Sequence, residues 1–244
     1  MYFLIFFIGA IIGSFINVLI IRLPLKINFI TGRSACTSCG RVLRLYDLIP
    51  VLSFFILKGK CRFCKQKISP KYPFVEALTG LTAVLCYIYF GFTYETIFTF
   101  VFLSLLIIIA FIDYDTSEIP YSLQITLFII AIISCFVFKE IKITTKLIGM
   151  ICISIPMLLI AMFIKNTFGG GDIILVSICG FILGWKFILF SIIIAFITAG
   201  IYSIFLLLFK NKSKKHVFPF GPHICLGIYI SILNINEFNL LLNI

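Results

Sequence analysis

Eight apolar stretches dominate the sequence, at residues 2–21, 73–91, 95–112, 121–138, 145–164, 173–189, 187–209 and 223–242. A helix needs about 20 mostly apolar residues to cross a bilayer, and each stretch approaches or meets that length. No soluble domain has use for so much apolar surface: 62% of the 244 residues are hydrophobic and only 12% are charged. The expected fold class is an all-α polytopic membrane protein with about eight transmembrane helices. The sixth and seventh stretches overlap around "LGWKF", so seven spans is the alternative count. The first stretch lacks a charged start and a small-residue cleavage site, so it reads as a retained span rather than a signal peptide.

Charge placement gives an expected orientation. Residues 22–74 hold eleven of the 20 Lys and Arg, Lys165 adds one, and the stretch 210–222 holds four more. The alternate connections carry only Lys139, Lys142, Lys146 and Lys186. Basic residues stay on the cytoplasmic side. The N-terminus is therefore expected outside, and the 22–74 loop, Asp113–Pro120, Lys165–Asp172 and 210–222 inside. This accounts for the net charge of +11 without nucleic acid; attraction to anionic membrane lipids is a compatible secondary effect.

The organisation expected is a first transmembrane helix at 1–21, a cytoplasmic four-cysteine loop domain at 22–74 between helices 1 and 2, and a membrane-embedded domain at 75–244. A 53-residue insertion is too small to hold itself with a core alone. "CTSC" (Cys36, Cys39) and "CRFC" (Cys61, Cys64) supply a staple: two C-x-x-C pairs 21 residues apart suit a four-thiolate Zn2+ site. Four thiolates leave no open position for water, so the zinc reads as structural; a redox pair is the remaining alternative. The other five cysteines (Cys86, Cys135, Cys152, Cys179, Cys225) lie singly in apolar stretches and read as packing residues.

Of the nine acidic residues, Glu76, Asp113, Asp115, Glu118 and Asp172 sit at span borders. A carboxylate in a span is costly and is a functional candidate. Asp115 and Glu118 read as loop residues. Asp113 follows "LLIIIAFI" directly, and Asp172 follows "FGGG", where it could also cap the next helix. With the orientation above, Asp113 ends an inward-running helix and Asp172 begins an outward-running one, so the two can face each other and share a proton. One could then act as general base on water while the other polarises a carbonyl. Glycines beside Asp172 permit close backbone approach and positive φ. A phosphate loop is not supported, because Ile173 and Ile174 stand where Lys and Ser/Thr would be. Two other readings remain: an ion-coupled transporter using the same pair, and a zinc-loop scaffold without catalysis.

Five segments in order carry a resemblance: "GAIIGSFINVLIIRLP", the cysteine-bearing loop through "KYPFVEALTG", "AFIDYDTSEIP", "GGGD" and "FPFGP" (Phe218–Pro222). Together they resemble the bacterial type IV prepilin peptidases, a family of GxGD-type intramembrane aspartic proteases. The resemblance implies catalytic Asp113 and Asp172, with Gly169 and Gly171 supporting the catalytic loop. It implies cleavage of the basic leader from prepilins or pseudopilins of type IV pilus and type II secretion systems, in the bacterial cytoplasmic membrane. It also implies N-methylation of the new N-terminus with S-adenosylmethionine; cleavage without methylation is the alternative. Glu76, Asp115 and Glu118 are expected as possible contacts for the leader's positive charges. The sequence departs from the family pattern at Tyr121, Ile174 and Thr37–Ser38, and none of these touches the two aspartates or four cysteines. A preflagellin-type peptidase is a closer rival, disfavoured by the four-cysteine loop.

Overall fold

A computed structural model describes residues 1–29, 32, 34–36, 38–164, 167–209 and 219–234. Lys165, Thr37, the basic stretch 210–218 with Phe218, and the end of the last apolar stretch with Glu237 lie outside the described residues. Among the described residues the protein is helical, with two isolated antiparallel bridges.

The helices fall on the apolar stretches: α1 (Tyr2–Arg22), the five-residue α2 (Leu52–Ile56) in the loop, α3 (Lys71–Phe90), α4 (Tyr94–Thr116), α5 (Tyr121–Val137), α6 (Ile143–Cys152), α7 (Ser154–Phe163), α8 (Gly170–Leu183), α9 (Trp185–Phe209) and α10 (Gly221–Leu233). Five helical segments are long and apolar enough to cross a membrane: α1, α3, α4, α6 with α7, and α9. Helices α5, α8 and α10 are shorter, so eight full spans are not established. The ambiguous sixth boundary resolves at Gly184, whose φ of +81° ends α8 before Trp185 opens α9. Between α6 and α7 the helix breaks at Ile153. Three residues on, Pro156 has no N–H to give to the carbonyl of Cys152, which is sufficient cause.

The chain divides into two compact units, residues 1–100 and 101–244. In the first, α1 packs along α3. Lipid tails give apolar helices no reason to leave them, so association in a membrane depends on close packing by small residues. Here Gly9 and Gly13 of α1 lie against Gly80, Thr79 and Ala83 of α3. In the second unit the buried face of α4 (Phe102, Leu103, Leu106, Ile109, Ile112) supplies much of the core.

Helices α6 and α8 also cross closely. A Cβ built on Gly149 would lie 2.3 Å from the carbonyl oxygen of Gly180, and one on Gly180 would lie 2.2 Å from that of Gly149. Across α9 and α10, Ser191 donates to Ser231 Oγ at 2.8 Å, so a polar pair reinforces a second close crossing.

One expectation fails here. Lys146 does not sit in a connecting loop; it belongs to α6 and is 1% exposed. Its Nζ donates to the carbonyl of Ser134 at 2.9 Å and to Ser134 Oγ at 3.1 Å. Ser134 lies in the last turn of α5, the helix end that favours a cation, and its carbonyl also accepts from the Phe138 N–H at 3.0 Å. Burial is tolerated because the cation is held by that carbonyl and the Ser134 hydroxyl and lies over the Phe181 ring.

Candidate active site

Asp113 stands in the last turn of α4 and is 4% exposed. The helix stops because Ser117 takes φ +55° and returns its N–H to the Asp113 carbonyl at 2.7 Å. The Asp113 side chain is held by a residue far along the chain: the Gly221 N–H donates to Asp113 Oδ2 at 3.0 Å. Gly221 is the first residue of α10, and Pro222 follows it inside the first turn, where a missing N–H costs nothing.

Asp172 is the third residue of α8 and is 9% exposed. The N-cap is Gly169, in extended conformation (φ −71°, ψ 144°). Its carbonyl accepts from the N–H groups of Asp172 and Ile173 at 3.1 and 3.3 Å. In return the Asp172 carboxylate takes the Gly169 N–H. This is the acidic half of a capping box, so the helix-cap role expected for Asp172 is present, from the third position rather than the cap itself. Asp113 lies close enough to Asp172 for its charge to be felt there.

The three glycines before Asp172 are not equivalent, and none has positive φ. A Cβ on Gly170 would meet nothing, whereas one on Gly171 would lie 3.3 Å from both Gln124 Nε2 and Ile119 Cβ. Gly171 therefore lets α8 approach the start of α5; close approach, not positive φ, is what the loop uses.

Sequence reasoning gave no role to Gly221 or to the phenylalanines around it. Phe168, Phe196 and Phe220 form an aromatic trio, with ring centroids 5.8 Å apart for Phe168–Phe220, 5.3 Å for Phe196–Phe220 and 6.4 Å for Phe168–Phe196. It ties the segment leading to Asp172 to the turn that serves Asp113. The available signal was "FPFGP" itself, a Gly-Pro helix start preceded by aromatics; what it lacked was any hint that its amide points 108 residues back.

The remaining acidic candidates have other surroundings. Asp115 and Glu118 are exposed, in the last turn of α4 and the turn after it. Glu76 belongs to the first unit, where its Oε2 accepts from the Val51 N–H at 2.8 Å and its side chain bonds Ser14.

The first unit also brings the four cysteines together: the sulfurs of Cys36, Cys39, Cys61 and Cys64 all lie within 4.8 Å of one another. Two matching turns build this cluster. In the first, Cys36 N–H donates to the Arg41 carbonyl (2.9 Å) and Gly40 N–H to the Cys36 carbonyl (2.9 Å). In the second, Cys61 N–H donates to the Gln66 carbonyl (2.8 Å) and Lys65 N–H to the Cys61 carbonyl (3.1 Å). The bridges Ala35–Val42 and Lys60–Lys67 close the two turns identically. The fifth position has positive φ in both, +68° at Gly40 and +58° at Lys65.

The donor set fits a tetrahedral metal. Zn–S bonds of about 2.3 Å imply S···S edges of about 3.8 Å, and Cys36 Sγ to Cys64 Sγ is 3.8 Å. The backbone N–H groups of Cys39 and Ser38 pull the Cys36 thiol down to about 6, which favours the thiolate that metals bind. At Cys64 the Gln66 N–H pulls the same way, but loss of water and the neighbouring thiols outweigh it and push the thiol up to about 11. A bound cation would relieve that crowding. Arg41 and Arg44 stack over Phe63 at 5.1 and 5.5 Å, joining the first turn to the second.

Comparison with known proteins follows the same division. A family model described as the bacterial peptidase A24 N-terminal domain matches residues 7–90, and one described as the type IV leader peptidase family matches residues 100–204. A prepilin leader peptidase/N-methyltransferase of Bacillus subtilis is 32% identical over 94% of this chain and 93% of its own length. A protein of the same name from Myxococcus xanthus is 35% identical over 85% of this chain and 64% of its own length. Another, from Legionella pneumophila, is 28% identical over 95% and 91%. No solved structure matches the chain. With both family models matched in order and relatives similar over nearly the whole length, the chain belongs to the type IV leader peptidase family and is an enzyme of that class.

Proposed function

We propose that the chain removes the basic leader from type IV prepilins and pseudopilins, with Asp113 and Asp172 as its catalytic pair. The observation that carries this reading is the pairing itself. Two carboxyl groups are buried at facing helix ends of one unit, each holds a backbone N–H, and each is within electrostatic reach of the other. Two such groups hold one negative charge more readily than two, and so share a proton. The ionised member takes a proton from water, whose oxygen attacks the scissile carbonyl. The protonated member donates to the developing oxyanion, and the tetrahedral adduct collapses with protonation of the leaving nitrogen. Gly169 and Gly171 support this by holding Asp172 and letting α8 close on α5. Asp115, Glu118 and Glu76 are candidate contacts for the leader's positive charges. Cleavage is placed at the cytoplasmic face, where the basic loops belong.

Zinc bound by Cys36, Cys39, Cys61 and Cys64 would act as a structural clamp on the loop. Methylation of the new N-terminus is proposed from the names of the relatives. S-adenosylmethionine would supply the methyl group. The cavity of about 660 Å³ among Ile8, Ile12, Ala83, Tyr87, Phe92 and Ile97 is apolar and has no charged side chain for that donor's amino and carboxylate groups.

The test is co-expression with a prepilin and mass spectrometry of the pilin N-terminus. Asp113→Asn and Asp172→Asn should each leave the leader attached, with the enzyme at wild-type abundance. Normal processing by either variant would refute the pair. Cleaved but unmethylated pilin from the wild type would leave the peptidase and remove the methyltransferase.

A further inference from the structure

Helix α2 is short, lies in the most basic loop of the chain, and shows its surroundings three large apolar side chains: Leu52 is 46% exposed, Phe55 69% and Ile56 72%. Phe54 instead turns inward and packs beneath Gly59, so the exposure belongs to one face and not to the whole helix. In an aqueous loop such a face needs a partner.

Two bonds fix where that face sits. The Val51 N–H, immediately before α2, donates to Glu76 Oε2. Glu76 is the sixth residue of α3, about 8 Å along a membrane-crossing helix at 1.5 Å per residue. After α2, Ile68 N–H donates to the Gly59 carbonyl at 2.8 Å, which returns the chain to Pro70 and the start of α3. The first bond sets the start of α2 level with the second turn of α3, and the second keeps the chain after α2 close to the start of that helix. That is the level of the headgroups and outer acyl carbons, since α3 enters the bilayer there. Exposed Lys58, Lys60, Lys65 and Lys67 follow α2 directly, and no acidic residue occurs between Leu48 and Val75. Apolar and aromatic side chains at interface depth, rimmed by lysines, match a lipid surface carrying anionic headgroups.

We propose that α2 is an interfacial anchor. Leu52, Phe55 and Ile56 enter the bilayer beside α3, and the lysines after them rest on anionic headgroups. Because the turn carrying Cys61 and Cys64 hangs from the end of α2, the anchor also holds the cysteine cluster at the membrane surface. The rival occupant is a polypeptide, such as the apolar helix of a substrate, and the test separates the two.

The full chain has one tryptophan. In a Trp185→Phe background, Phe55→Trp, Ile56→Trp and, as a control in the first cysteine turn, Val42→Trp are reconstituted into phosphatidylethanolamine–phosphatidylglycerol vesicles. Lipids with brominated acyl chains should quench the α2 probes several-fold more than the control, acrylamide should reach them several-fold less, and lipid quenching should grow with the phosphatidylglycerol fraction. Lipid quenching no greater than at position 42 overturns the anchor. Shielding from acrylamide without lipid quenching assigns the face to a protein partner and also overturns it. Quenching indifferent to phosphatidylglycerol removes the lysines from the proposal.

Discussion

The amide of Gly221 reaches 108 residues back to donate to Asp113 Oδ2, and there is no room for a side chain behind it. A Cβ on Gly221 would lie 2.6 Å from that oxygen and 3.0 Å from Cγ. Gly221→Ala must therefore push the carboxylate away. Displacement of a reacting group by about 1 Å costs on the order of a hundredfold in rate, so prepilin cleavage should fall by roughly that factor. Timed processing assays on purified enzyme check it, with thermal stability in detergent measured in parallel.

Within "GGGD" two neighbouring glycines should respond in opposite ways. Gly170→Ala meets nothing and adds helix propensity, so its activity should stay within about twofold of wild type and its stability should not fall. Gly171→Ala presses on Gln124 and Ile119 and should cost about 1–3 kcal/mol of stability as overpacking, with lowered cleavage. Equal effects at both positions would remove the distinction.

Removal of metal should loosen the cysteine loop. Purified protein should carry about one zinc, lost in Cys36→Ser and in strong chelator, as elemental analysis will show. Thiolates bind metal and thiols do not, so acidification competes: zinc retention should be full at neutral pH and fall as the pH drops, while Cys36, already near 6, resists longest.

The two cysteine turns differ where one has Gly40 and the other Lys65, both at positive φ. A left-handed conformation costs a side-chain-bearing residue about 1–2 kcal/mol. Lys65→Gly should therefore raise loop stability by a net ~0.5–1 kcal/mol after the greater freedom of glycine in the unfolded chain is subtracted. Slower zinc release to a chelator is the readout.

Lys146 offers a test of what a buried cation contributes. Ser134 Oγ also donates to the carbonyl of Ala131, so loss of the ammonium leaves that hydroxyl satisfied. Lys146→Met keeps the volume and should change stability by about 1 kcal/mol or less in either direction. Lys146→Ala opens a cavity between α5, α6 and α8 and should cost about 2–4 kcal/mol. Thermal unfolding in detergent distinguishes them.

The helical class, the cysteine cluster and the place of the apolar helices among the described residues were legible in the sequence, because apolar length and C-x-x-C spacing are local signals. Asp113 and Asp172 were legible as isolated carboxylates at apolar borders. Gly221 was not, since a backbone donor has no side chain to advertise it and its acceptor is over a hundred residues away. Lys146 was misplaced for a related reason: charge alone suggests a loop, and only the third dimension shows the end of α5, with the Ser134 carbonyl and hydroxyl, that receives it. The sequence overlap at "LGWKF" concealed a break that depends on one glycine.

At about 1.5 Å per residue the 14 residues of α8 reach about 21 Å, against a hydrocarbon layer of about 30 Å. A helix this short crosses only where the bilayer thins or where the helices packed on it, α5, α6 and α9 among them, cover its ends. Asp172, the third residue of α8, stands at one end of this short rod. If thinning is what closes the gap, thicker bilayers set Asp172 deeper, and prepilin processing should slow in vesicles of longer acyl chains.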